Sequence, residues 1–121
     1  MELIELQKLQ RKFDEEHFPR FWKDFWKKKP SDKELLDKLL HLTIALVGEC
    51  GEFANVVKKI DREFEHQGEK ISEEKLQKLK EELVDILIYV LIIANVLNMN
   101  LEEEYLRKRK INEKRFERFK S

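Results

Sequence analysis

A chain of 121 residues, 41% charged and balanced at 25 basic and 25 acidic side chains, has room for one small domain. Its formal net charge of +0 supplies no global field to hold nucleic acid or an acidic membrane surface, so neither is an expected partner. The single cysteine, Cys50, excludes an internal disulfide, and the opening MELIELQKLQRKF has glutamates where a secretory leader needs a basic segment and an apolar run; a cytoplasmic protein is expected.

The pattern predicts helices throughout. The first runs from about Glu2 to His17, with Leu3, Leu6, Leu9 and Phe13 at helical spacing and Pro19 ending it. An aromatic connector follows, FPRFWKDFWKKKP. In it Phe18, Phe21, Trp22, Phe25 and Trp26 recur at three- and four-residue steps, so one short helical turn presents them on one side. Trp22 and Trp26 either stack on a planar base or plug the small core. Ser31 with Glu34 three residues on forms a capping box that opens a long second helix. Leu39, Leu42, Leu46, Phe53, Val57 and Ile60 keep that helix amphipathic until the HQGEK segment around Gly68. Ser72 caps a third helix reaching about Leu97, whose apolar run from Leu83 is shorter than the ~20 residues that cross a bilayer. Asn100 to Glu103 opens a fourth helix with a basic end. Short loops between long helices imply antiparallel neighbours. The expected fold is all-α, an antiparallel four-helix bundle with a short aromatic connector helix, forming one domain over residues 1–121.

An aspartate interrupts the greasiest segment, EELVDILIYVLIIA. Asp85 there sits on a helix apolar nearly all round, so its carboxylate faces protein and must shift its pKa, meet a cation or bind a metal ion. Glu82 lies three residues earlier on the same face. The second helix carries a matching pair in GECGEF, Glu49 and Glu52, with Glu49 in line with Leu42, Leu46 and Phe53. If the two helices pack antiparallel, four carboxylates converge, and all-oxygen ligation suits Mg²⁺ or Mn²⁺ better than zinc. Structural ion pairing is the competing reading, and the apolar neighbours of both pairs favour the metal. Gly48 and Gly51 each cost the helix ~1 kcal/mol relative to alanine, which close approach of a neighbouring helix or a ligand would offset. Cys50 between them is expected to be a small buried filler. On the fourth helix Lys108, Asn112 and Arg115 line one face and could hold phosphate oxygens or a sugar, or the cations could simply complement the helix dipole.

GECGEF, then EELVDILIYV, then KRKINEKRF resembles the all-α nucleotide pyrophosphohydrolases, the MazG-like group that includes dCTP pyrophosphatases and dimeric dUTPases. The shared pattern is an E-x-x-E pair, an E-x-x-D pair one helix later, and a K-x-x-x-N-x-x-R tail, over about residues 40 to 116. The dCTP pyrophosphatase branch is the nearest in pattern. The resemblance implies cleavage of a nucleoside triphosphate (an NTP or dNTP, dCTP-like or non-standard) to the monophosphate and pyrophosphate, cleansing the nucleotide pool. It implies Mg²⁺ on Glu49, Glu52, Glu82 and Asp85, and phosphate or sugar contacts from Lys108, Asn112 and Arg115. The aromatic connector, with Trp22 and Trp26, resembles the base-recognition segment of that branch. One departure is NVVKKI, which puts Lys59 where the branch has an aromatic residue.

Two other readings compete. A di-iron carboxylate bundle needs E-x-x-H pairs, and only Glu63 to His66 has that spacing. A non-catalytic interaction module would use the aromatic connector as its adhesive surface. Self-association as a homodimer or homotetramer is expected, with Ile88, Ile92 and Val96 as the apolar face in search of cover.

Overall fold

The computed structural model describes residues 1–120 and contains helices and no strand among them. Helix α1 spans Leu3–His17, α2 Pro19–Trp22, α3 Asp32–Gln67, α4 Glu73–Val96 and α5 Leu101–Arg115; single 3-10 turns lie at Phe25–Lys27 and Glu117–Phe119. The all-α bundle anticipated from the pattern is what forms.

The helix ends follow from local chemistry. Ser31 Oγ accepts from the Glu34 amide at 3.1 Å while Glu34 Oε1 accepts from the Ser31 amide at 3.2 Å, a reciprocal box that fixes the start of α3. Gly68 ends that helix in the left-handed region at φ 67°, which costs glycine nothing and lets the Gly68 and Glu69 amides reach the carbonyls of Phe64 and Glu63. Ser72 and Asn100 cap α4 and α5 through their side-chain oxygens, each at 3.1 Å.

The long pair α3 and α4 forms the frame, running antiparallel across the hairpin. Lys75 bonds Glu63 at 3.0 Å near that hairpin, and Leu42 meets Ile92 in the core at the far end. The core is small: Trp22, Phe25, Leu42, Ile92 and Val96, flanked by Phe21, Trp26, Leu35, Leu39 and Ile88. Ile92 and Val96, expected to lack cover, are therefore buried by the connector; the large apolar α4 residues left bare are Leu76, Leu83, Val84 and Leu87. On α3 the side toward α4 carries the half-buried Phe53 and Val56 and the buried Ile60, and Val57, expected on it, is exposed.

The docking of α1 is polar. Leu6, Leu9 and Phe13 are exposed, whereas Gln7 and Asp14 are only 2% and 3% exposed. Gln7 Nε2 donates to Met99 O at 2.8 Å and Asn95 Oδ1 at 3.4 Å, its Oε1 accepts from the Leu101 amide at 3.1 Å, and Asn95 Nδ2 donates to Gln7 O at 2.8 Å. A fully satisfied amide at such a junction fixes orientation as well as contact. This knot ties α1 to the corner where α5 leaves α4 at 98°, and α5 packs mainly on α1.

Candidate metal centre

Antiparallel packing brings the middle of α3 to the middle of α4, and there the acids meet. One carboxylate oxygen from each of Glu49, Glu82 and Asp85 lies within 4.8 Å of the other two. Glu82 is 7% exposed; Glu49 and Asp85 are half-buried. Lys78, one turn back on α4, reaches Glu82 Oε1 at 2.9 Å. That leaves Glu82 Oε2 buried without a hydrogen-bond partner, and Glu49 Oε2 is in the same condition. Burial pushes the Glu49 carboxyl up, and the negative charges of Glu52, Asp85 and Glu82 push it the same way.

Carboxylates with buried oxygens lacking donors, gathered from two rigid helices, carry the cost of mutual repulsion and desolvation. A hard divalent cation satisfies both at once, since it takes oxygen ligands and cancels the charge. The donor set fits Mg²⁺ or Mn²⁺. Among the described residues this is the one group of three such ligands drawn together, and it contains no histidine. The di-iron alternative loses its single E-x-x-H pair as well, because Glu63 is bonded to Lys75.

Glu52 lies outside the trio. It is exposed, yet its negative charge helps to raise the Glu49 carboxyl, so it borders the group. Gly48 and Gly51, expected to admit a close helix, have nothing within 4 Å of an added Cβ, and Cys50 between them is exposed instead of buried. This side of α3 is open.

The remaining predicted residues are elsewhere. Lys108 and Arg115 are exposed and Asn112 half-buried on α5, beyond the corner. Asn95, at that corner, is ten residues past Asp85, about 15 Å along a helix. The basic face thus begins beyond the end of α4, past that distance. Trp22, 3% exposed, fills the core, the second of its two readings, and in one chain offers no free face to a base. Trp26 is half-buried, stacked on Trp22 at 5.1 Å, with the Arg11 guanidinium carbon 4.5 Å from its ring centroid. Lys38 secures the connector, lying 3.7 Å from the Phe21 ring centroid and donating to the Phe21 carbonyl. Lys78 was legible only as an i, i+4 spacing to Glu82, one of many in so charged a chain. Gln7 and Asp14 gave no signal, since a polar residue on an amphipathic helix reads as solvated.

A family model described as the MazG nucleotide pyrophosphohydrolase domain matches residues 37–118. The Gene 37 protein of Mycobacterium phage L5 is 40% identical over 68 residues, 56% of this chain and 57% of that protein. The chain thus spans little more than half the length of this relative. No solved structure matches.

Proposed function

Because the chain belongs to the MazG nucleotide pyrophosphohydrolase domain family, we propose that it hydrolyses a nucleoside triphosphate to the monophosphate and pyrophosphate with Mg²⁺ held by Glu49, Glu82 and Asp85. The observation that carries this is the convergence of the three carboxylates with two buried oxygens left unbonded. A divalent cation held there supplies the positive charge that a triphosphate needs and lowers the pKa of a bound water. The trio fixes that charge on rigid helices, so little reorganisation is needed at reaction. Glu52, outside the trio and open to solvent, is the carboxylate free to orient or deprotonate the attacking water.

Lys108, Asn112 and Arg115 are the proposed phosphate and sugar contacts, and they come from a second copy. Two features support this. Within a chain α5 leaves the end of α4 nearly at right angles, beyond Asn95, which is about 15 Å along the helix from Asp85. Beside the acids the outer side of α3 is bare and apolar, with Leu36, Leu40, Ile44 and Val47 at 62–65% exposure, continuous with exposed Leu83 and Leu87 on α4. An apolar stripe of this extent calls for cover. By length and composition α3 is apolar enough to cross a bilayer, but Glu49 and Glu52 near its middle would be costly there. A homodimer or homotetramer is the reading that also completes the site. Residues ahead of the matched stretch, Trp22 and Phe25, fill the same core, so the chain acts as one domain.

The base is dCTP-like or non-standard in this proposal, and the exposed Lys59, standing where the dCTP branch has an aromatic residue, argues for a broader or different nucleotide range than a strict pyrimidine preference. Incubating the protein with common and oxidised nucleoside triphosphates, with and without Mg²⁺, and identifying the products tests the assignment. Mg²⁺-dependent release of pyrophosphate supports it; absence of turnover on every nucleotide with Mg²⁺ or Mn²⁺ removes it.

A further inference from the structure

We infer that the cleft at the opposite end of the α3–α4 frame is a second binding site, and that its ligand is a small multivalent oxyanion. The cleft is a cavity of about 660 Å³ between α1, the connector and the last turn of α4. Lys8, Arg11, Lys28 and Lys29 line it, against a single acid, Asp32. Arg11 is bonded through Nε to Glu15 at 2.9 Å, but Lys8, Lys28 and Lys29 take part in no ion pair among the described residues.

The second observation is Trp26, which also lines the cleft: its indole N–H is buried and has no acceptor. Buried donors of this kind are rarely left unbonded, and since this one has no open surface, an oxygen reaches it only when a neighbouring side chain yields. The ring itself is occupied, stacked on Trp22 at 5.1 Å and covered by the Arg11 guanidinium at 4.5 Å. A flat base would have to displace one of them, whereas an oxyanion can engage the ammonium groups first. The floor makes no competing demand, because Gln7 is already bonded to Asn95, Met99 and Leu101. What the cleft lacks is acceptors and negative charge, and a phosphate-type anion supplies both.

This site does not rest on the catalytic reading. Asn95, at its rim, lies ten residues from Asp85, about 15 Å along α4, and α5's basic face is a separate surface. The phosphoryl group can be free or carried on a nucleotide, and two titrations separate these sources: inorganic pyrophosphate and adenosine monophosphate, each followed calorimetrically in EDTA so that the acid trio holds no metal. Pyrophosphate is expected to bind at millimolar concentration or below. Lys28→Ala with Lys29→Ala should weaken it about tenfold, as loss of charge-assisted bonds does. Trp26→Phe, which keeps a ring and removes the N–H, should weaken it severalfold, and Lys108→Ala with Arg115→Ala, which removes the phosphate contacts proposed for the triphosphate, should leave in place the share of binding that the Lys28/Lys29 pair removes. Equal binding of the monophosphate assigns the site to a carried phosphoryl group; binding of pyrophosphate alone assigns it to the free anion. No binding of either, or binding that the Lys28/Lys29 pair does not affect while the Lys108/Arg115 pair abolishes it, overturns the site. The lysines are exposed, so that double variant folds irrespective of the outcome.

Discussion

Glu49 on α3 and Glu82 on α4 face one another across the helical seam, each with a buried carboxylate oxygen that no donor reaches. Lys78 answers only the other oxygen of Glu82. The protein therefore stores repulsion in its middle, and the consequences can be measured.

Glu82→Gln removes one charge and keeps the shape. In EDTA this variant should be more stable than the parent by about 1 kcal/mol, a Tm rise of roughly 4 °C for a domain of this size. Mg²⁺ should raise the parent's Tm and scarcely move the variant's, while turnover is lost. Thermal melts with and without Mg²⁺ decide it; an unchanged Mg²⁺ response in the variant would remove Glu82 from the metal site.

Asp14 carries a pH dependence that has nothing to do with the metal. Burial raises its carboxyl above the ordinary value of 3.8, Glu15 adds to that, and the bond from Gln10 opposes it. The folded state thus holds the proton more tightly than the unfolded chain. Its stabilising contribution is fully present below the unfolded pKa and is lost as pH rises through the folded one. Asp14→Asn should therefore gain stability relative to the parent between acid and neutral pH. Parallel urea titrations across that range test this, and a difference that does not vary with pH would refute it.

The proposed sharing of the site between copies predicts complementation. Asp85→Asn and Arg115→Ala chains should each be inactive alone, and mixing them should restore a part of the activity, because some assemblies then hold one intact site. Ile44→Asp should yield monomers by sedimentation, with turnover reduced at least about a hundredfold, the scale of loss when positioning groups are removed. Full activity in a monomeric Ile44→Asp would contradict the shared site.

Gln7→Leu should cost about 3 kcal/mol in urea unfolding, since it strands the Leu101 amide and breaks the bonds to Asn95 and Met99 in a buried junction. Because that junction sets the direction of α5, KM for the triphosphate should rise by more than kcat falls. A variant as stable as the parent would show the knot to be dispensable.

Helices, caps and the hairpin were legible because their signals are local. Ser31 with Glu34, Gly68, Ser72 and Asn100 act within one turn, and each performs in the structure as its chemistry requires. The acid pairs were legible too, since Glu49 and Asp85 broke apolar patterns that nothing else in the sequence explained.

Neither the polar seating of α1 nor the position of α5 could be read that way. Gln7 looks like any solvated glutamine until Asn95 and Met99, far along the chain, are beside it. Sequence periodicity fixes which side of a helix is apolar, but which neighbour covers that side depends on where the chain turns. The 98° corner after α4 sets where Lys108 and Arg115 go, and the connector covers Ile92 and Val96 while Ile44 and Val47 are left open. Secondary structure and the paired acids follow from residues a few positions apart; where the two halves of the proposed site lie relative to one another follows only from contacts made at long range.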